Sequence, residues 1–366
     1  MRTYQRCTRC VMDTTIDPDI RFDSNGYCNY CEAAYQRMPQ TYFPNELGQQ
    51  KLEAMLAEVK AYGKGKKYDC IMGLSGGLDS SYLAYLGHKW GLRVLAIHID
   101  DGFDTDISKN NLKQLVKATG FDYAVVQPDA RQFYDLTKAY MRAGVPNLAA
   151  PQDSVLFAFL EDQMRKNDIR YFLTGGNFAG ECIMEAKTNF SPNDRTNILD
   201  INRKFGTGPV NRLKFVDYRK SFIYNKLYHF KKLMPLDYID YNRERAFKEL
   251  AEFCDFQYYG RKHLENKLTA FLQLYWYPKR FGLDKRLAHQ SSMIVSGQTT
   301  REKALKELEE PLYDEAMMAE YIADIKEKLQ ITDEEFESFV NGPIRLHQDF
   351  KVAEDEWFYK IRHMLR

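Results

Sequence analysis

The sequence predicts an α/β protein: a doubly wound, mostly parallel sheet with a four-cysteine module before it and a helical C-terminal region after it. Three observations carry that reading. Between Tyr68 and Thr174 short apolar runs alternate with helical patterns, as parallel sheets require. A Gly- and Ser-rich turn joins the first apolar run to a helix, and cysteines are paired near the N-terminus. The 366 residues amount to two or three modules at about 150 residues each, placed at 1–50, 51–235 and 236–366.

Composition sets the bounds. With 44% hydrophobic and 28% charged residues the chain can bury a core and is not of the disordered class. The 52 basic and 51 acidic residues leave a net charge of +1, so there is no global field for polyanions and nucleic-acid binding is not expected. The longest apolar runs, Val94–Ile99 and Val155–Leu160, fall far short of the roughly 18–20 residues of a membrane span. The polar segment Met1–Cys7 lacks a secretion signal, so the expected location is cytoplasmic. There, cysteines serve metal binding or catalysis before disulfides.

In chain order, the first element is the cysteine module. Cys7-x2-Cys10 and Cys28-x2-Cys31 are separated by 17 residues, the spacing of a four-thiolate Zn²⁺ site. Gly26 supplies the tight turn before the second pair. Four protein ligands leave no open position, so the expected zinc is structural and supplies the stability that so short a segment cannot bury for itself. Asp13, Asp17, Asp19 and Asp23 against Arg21 argue against a phosphate-binding ribbon. Residues 36–50, with Pro39, Pro44 and Gly48, read as a linker.

Next, Tyr68–Leu74 reads as a buried strand and Tyr82–Trp90 as a helix, with Ser75-Gly-Gly-Leu-Asp-Ser-Ser81 between them. Such a turn offers backbone N–H groups, serine hydroxyls and a helix N-terminus to an anion. It is neither the Walker loop nor G-x-G-x-x-G. It resembles the pyrophosphate-binding loop of the N-type ATP pyrophosphatases at all seven positions. The resemblance implies an adenine nucleotide alpha-hydrolase-like PP-loop fold, ATP cleaved between its α and β phosphates, and Ser75, Gly76, Gly77, Asp79, Ser80 and Ser81 around the departing pyrophosphate. Asp79, a carboxylate among phosphates, would hold Mg²⁺.

Further strands are expected at Arg93–Ile99, Tyr123–Val126 and Arg170–Thr174, with helices at about 107–119 and 152–166. In a doubly wound sheet ligands lie beyond the carboxyl ends of the strands, which gathers Ser75, the Asp100-Asp-Gly102 turn and Thr174-Gly-Gly-Asn177. The resemblance places adenine near backbone from His98 to Asp100. It gives Thr174, Gly175 and Gly176 a close approach to ribose or α-phosphate. Glu181 and Asp217 are further candidates for Mg²⁺ or substrate, though either one taken singly reads more readily as a solvated carboxylate.

After Pro235 the pattern turns helical, as at Asn242–Phe253 and Leu264–Tyr275, with capping boxes at Thr299/Glu302 and Thr332/Glu335. Pro311 and Gly342-Pro343 end helices, and Leu305, Leu308 and Leu312 read as core. Lys279-Arg-Phe-Gly-Leu-Asp-Lys-Arg286, followed by His289 and Ser291, reads either as a grip for an anionic sugar nucleotide or as a surface charge run.

Together, Cys7-Thr-Arg-Cys10, Cys28-Asn-Tyr-Cys31, the Ser75 loop, Gly260-Arg-Lys-His-Leu-Glu265, Lys285-Arg286 and Thr300-Arg301 resemble the N-acetyl sugar amidotransferases of bacterial surface polysaccharide biosynthesis. That resemblance implies conversion of an acetamido to an acetamidino group on a nucleotide-linked N-acetyl sugar, in O-antigen or flagellin sugar pathways. Asp79, Lys285 and Arg286 are then the candidate catalytic residues. Residue 2 is Arg and no cysteine sits in a G-x-C-x-G elbow, so no glutaminase is encoded. The expected ammonia source is a separate glutaminase partner, similar to the imidazole glycerol phosphate synthase pair. The competing class is a tRNA-modifying thiolase or ligase, which wants a reactive cysteine beside ATP; Cys182 keeps that class in play.

Overall fold

The computed structural model describes residues 3–356 except 18, 186–189 and 261–263, together with Tyr359. After the cysteine knuckles come α1 (Asn29–Thr41) and α2 (Glu46–Gly63). The expected linker over 36–50 is thus largely helical: Pro39 lies inside α1, and Asn45 caps α2 by accepting from the Gly48 N–H. The Pro and Gly of that stretch mark helix ends, with a break of only residues 42–45.

The sheet follows: β1 (Cys70–Gly73), α3 (Leu78–Lys89), β2 (Val94–Ile99), α4 (Asp106–Thr119), β3 (Asp122–Val126), α5 (Ala130–Ala143), α6 (Ala150–Lys166) and β4 (Tyr171–Leu173). After α7 (Phe178–Glu181), α8 (Arg195–Phe205) and α9 (Tyr218–Tyr228) it gains an edge strand, β5 (Lys231–Leu233). All pairings between these five strands are parallel and the order is β3-β2-β1-β4-β5. β5 lies outside the expected strands, because Lys231 and Lys232 leave no apolar run there; an edge strand tolerates them.

Alternation along the strands divides the core in two. Cys70, Met72, Val94 and Ala96 point into the main cluster with Tyr82 and Leu83 of α3, while Ile71, Leu95 and Ile97 face Leu160 and Met164 of α6. Chain progression from β1 runs first to β2 and β3, then returns to β4 on the other side. The topological switch point therefore falls between the carboxyl ends of β1 and β4, where this architecture opens a crevice for ligands.

The C-terminal region comprises α10 (Arg243–Cys254), α11 (Lys267–Phe271), a π-helix over Leu272–Phe281, α12 (Lys285–Val295), α13 (Arg301–Glu309), α14 (Glu315–Leu329) and α15 (Asp333–Asn341). The Thr332/Glu335 capping box is present. At α13 the cap is Thr300 and not Thr299, with its hydroxyl accepting from the Lys303 N–H. No described helix is long and apolar enough to cross a membrane.

Candidate active site

The Ser75 loop leaves β1 at the switch point and enters α3. Gly76 has φ +77°, and a Cβ there would lie 2.2 Å from Ser108 Oγ, so the position needs glycine twice over. The Ser75 and Ser80 hydroxyls lie 3.1 Å apart, the Ser75 Oγ accepts from the Gly77 N–H, and the Leu78 N–H donates to the Tyr259 hydroxyl at 2.7 Å. The loop borders a cavity of about 620 Å³, of the size that holds a nucleotide. Ser75, Gly77, Asp79, Ser80, His98, Thr174, Gly175 and Gly176 line it.

Three expected residues do not line it. Gly76 shapes the loop from behind. Ser81 is fully buried in α3, and its Oγ has no hydrogen-bond partner among the described residues. Asp100 turns away from the cavity, accepting from Gln127 Nε2 at 3.0 Å and the Gly102 N–H at 3.2 Å. Gly175 has a different reason from the expected one: a Cβ there would lie 2.8 Å from the backbone of Asp79 and Ser80, so its close approach is to the phosphate loop itself. Asp217 lies elsewhere, capping α9 through the Arg219 and Lys220 N–H groups.

Electrostatics around this inner cavity combine flagged residues with Asp104, Asp153 and Tyr241, which the sequence did not flag. Both ring nitrogens of His98 face acceptors, the Leu74 carbonyl and Asp104 Oδ2, each at 2.8 Å, an arrangement the imidazolium form satisfies. Burial alone would lower its pKa, but the hydrogen bond and charge of Asp104 outweigh that and the net shift is upward. Burial pushes Asp101 up to about 7, although Asn266, Gln152 and the Phe103 N–H donate to it. Asp153, in the first turn of α6, is pushed up to about 7 by burial alone and has no hydrogen-bond donor among the described residues. Asp79 accepts a hydrogen bond from Tyr241, whose own hydroxyl is held well above its usual pKa, first by burial and then by the Asp79 charge.

A second, outer cavity of about 490 Å³ adjoins the first, and Glu181, Met184, Gln273 and Lys285 border both. The π-helix contributes Gln273 to each, consistent with the tendency of such wide turns to occur at functional sites. Lys285 forms an ion pair with the fully buried Glu185 at this junction. Arg286 also borders the outer cavity, but its five N–H donors are all engaged: bidentate to Asp284, and to the carbonyls of Glu307, Leu308 and Glu310. It fastens α13 to α12 and has no donor left for a reacting group, which corrects the catalytic expectation for it. Arg280, likewise, is buried against the carbonyls of Phe339, Val340 and Pro343. Of the Gly260–Glu265 motif, Arg261, Lys262 and His263 lie outside the described residues; Glu265 borders the inner cavity.

The four sulfurs of Cys7, Cys10, Cys28 and Cys31 lie within 4.8 Å of one another and are all buried. Sulfur separations of 3.7 Å (Cys7–Cys31) and 3.5 Å (Cys10–Cys28) match the edge of a tetrahedron of thiolates about 2.3 Å from one ion. Backbone N–H groups of Arg9, Cys10 and Cys28 point at Cys7 Sγ, and the Arg9 guanidinium lies 3.4 Å from Cys31 Sγ. These donors offset the charge that four thiolates around a divalent ion would carry. Arg301 donates to the carbonyls of Cys7 and Cys10 at 3.0 and 3.1 Å, and Val11 N–H to Ser291 Oγ at 3.2 Å, so the cluster docks on α12 and α13.

No described cysteine outside the cluster meets either cavity. Cys182 is buried, with its thiol pushed up to about 11 by desolvation and directed at the Ser292 carbonyl; Cys70 and Cys254 are likewise buried with raised pKa values. None is the activated thiol that the thiolase alternative wants.

Among solved structures, the chain is similar to an NMN synthetase from Francisella tularensis, at 15% identity over 80% of this chain and 95% of that one, with a TM-score of 0.34. It is similar to an NH3-dependent NAD synthetase from Campylobacter jejuni at 12% identity over 82% and 99%, with a TM-score of 0.34. No curated protein matches the sequence. The family model described as "LPS biosynthesis protein WbpG-like, C-terminal domain" matches residues 265–365. The matched stretch includes the π-helix, α12 and α13, which border the outer cavity.

Proposed function

We propose that the protein is an ATP-dependent, AMP-forming amidotransferase that converts an acetamido group of a nucleotide-linked N-acetyl sugar into an acetamidino group, in O-antigen biosynthesis. The observation that carries the reading is the pair of joined cavities. One is built on the phosphate loop, the other on the lipopolysaccharide-family helices, and Lys285, Glu181 and Gln273 stand between them. ATP occupies the inner cavity and the sugar the outer one, with the acetamido group at the junction.

An amide carbonyl is a poor electrophile and oxide a poor leaving group, so the oxygen must be activated. The acetamido oxygen attacks the α-phosphorus and the α–β bridging P–O bond breaks. Pyrophosphate remains against Ser75, Gly77 and Ser80, and an O-adenylyl imidate forms on the sugar. Ammonia adds to the imidate carbon, a nitrogen-bound proton is lost, and AMP departs with the original oxygen, leaving the amidine. The protein contributes orientation and charge stabilisation. Asp79 and Glu181, which border the inner cavity, would hold Mg²⁺, and the ion would neutralise the phosphate tail. Lys285, tethered by Glu185, places a cation where negative charge develops on the bridging oxygens. The cysteine cluster holds structural Zn²⁺, and ammonia comes from a separate glutaminase.

The test is product chemistry. The protein is incubated with ATP, Mg²⁺, ammonium and a UDP-linked diacetamido sugar, and nucleotides and sugar are resolved by chromatography and mass spectrometry. AMP and pyrophosphate should appear in equal amounts with a sugar in which one oxygen is replaced by NH. Formation of ADP and orthophosphate, or acceptor-independent turnover, would sink the proposal.

A further inference from the structure

The run Lys279–Arg286 offered itself as an anion grip, yet the structure has spent most of its cations elsewhere. Arg280 holds three carbonyls, Lys285 holds Glu185, and Arg286 is saturated. The outer cavity nevertheless retains three cations with no ion-pair partner among the described residues: Arg243 at the start of α10, and Lys303 and Lys306 on α13. Lys303 and Lys306 are three residues apart and share a helix face. Both side chains are exposed, and Lys303 lies in the first turn of α13, where the helix dipole adds to its charge. Of the carboxylates lining the cavity, Glu185 and Asp284 are paired with Lys285 and Arg286, Glu181 also borders the inner cavity, and Glu307 and Glu310 follow Lys303 and Lys306 by four residues without forming an ion pair with either. Tyr258, 51% exposed, offers an aromatic surface to the same space.

We propose that Arg243, Lys303 and Lys306 bind the diphosphate of a nucleoside diphosphate-linked acceptor in the outer cavity, with Tyr258 as the surface on which its base stacks. Anchored there, the acceptor's sugar extends inward past Lys285 to the phosphate loop. The inference rests on the amidotransferase reading for the acceptor's identity, but the subsite itself can be tested without turnover.

The experiment titrates UDP calorimetrically into the full-length protein, alone and after saturation with α,β-methylene ATP. UDP should bind in both conditions. Lys303→Ala, Lys306→Ala and Arg243→Ala should each weaken it about ten-fold, the size of one charge-assisted contact, and leave binding of the ATP analogue unchanged. Lys303→Arg should keep most of the affinity. Displacement of UDP by the analogue would place it in the inner cavity and overturn the inference. So would absence of UDP binding to the wild type, or equal affinity in the alanine variants. Failure of the ATP analogue to bind, with UDP binding intact and sensitive to the three substitutions, would refute the reading of the inner cavity while supporting this one.

Discussion

Asp153→Asn should make the protein more stable, and more so as pH rises. Asp153 sits on the wall of the inner cavity, where burial lifts its pKa from an ordinary 3.8 to about 7. The unfolded chain releases that proton near pH 4 and the folded one near pH 7. The folded state is therefore penalised progressively between those values and fully above them. A shift of about three units corresponds to roughly 4 kcal/mol at about 1.4 kcal/mol per unit. Water in the cavity reduces that figure, and the carboxylate's place in the first turn of α6 returns about 0.3–1 kcal/mol through the helix dipole. A net gain of about 1–2 kcal/mol at pH 8, falling to zero near pH 4, is expected for the variant. For a chain of this size it would raise the melting temperature by roughly 1–3 °C. Thermal melts of both proteins from pH 4 to pH 8 check it. A difference that does not change with pH, or a wild type more stable than the variant at pH 8, would show that the carboxylate is not held in the environment described.

Other substitutions report on other parts of the site. Gly76→Ala should abolish ATP-dependent turnover and cost about 1–3 kcal/mol in denaturant unfolding, since it combines a left-handed backbone with a clash on Ser108. His98 has a raised pKa, so the stability from its pairing with Asp104 is complete below about pH 6.5 and is lost as pH climbs through the folded-state value; Asp104→Asn should lower the His98 pKa in an NMR titration. Cys28→Ser should reduce bound metal, measured by mass spectrometry of the intact protein, from one ion to near none and lower the melting temperature. Arg301→Ala should leave metal content unchanged but loosen residues 3–17 toward hydrogen exchange, because the guanidinium's bonds to the Cys7 and Cys10 carbonyls are gone.

The parts of the site written in local patterns were legible. Four cysteines at two short spacings, and seven consecutive loop residues between a strand and a helix, each carry their geometry with them, and four of the five strands follow from apolar runs. What escaped notice depends on distant chain segments meeting. Asp104, Asp153 and Tyr259 come from three separate stretches, and nothing around them in sequence marks a shared cavity. The run Lys279–Arg286 misled for the same reason. A cation's role is set by what it faces, and Arg280 and Arg286 face carbonyls contributed by residues 21 to 63 positions further on. Residues 36–50 misled by composition, since Pro39 and Gly48 are tolerated in helices whose remaining residues favour them.

The docking of the cysteine cluster on Ser291 and Arg301 bears on how the molecule is assembled during translation. The knuckles are synthesised well before the surface that seats them, which lies some 280 to 294 residues further along the chain. Contacts so remote in the chain form late. The nascent cysteine module must therefore wait for its berth, and a polypeptide truncated before residue 291 would leave Val11 and Met12, both fully buried in the finished protein, without their cover. Completion of α13 is thus the event that ties the beginning of the chain to its last third.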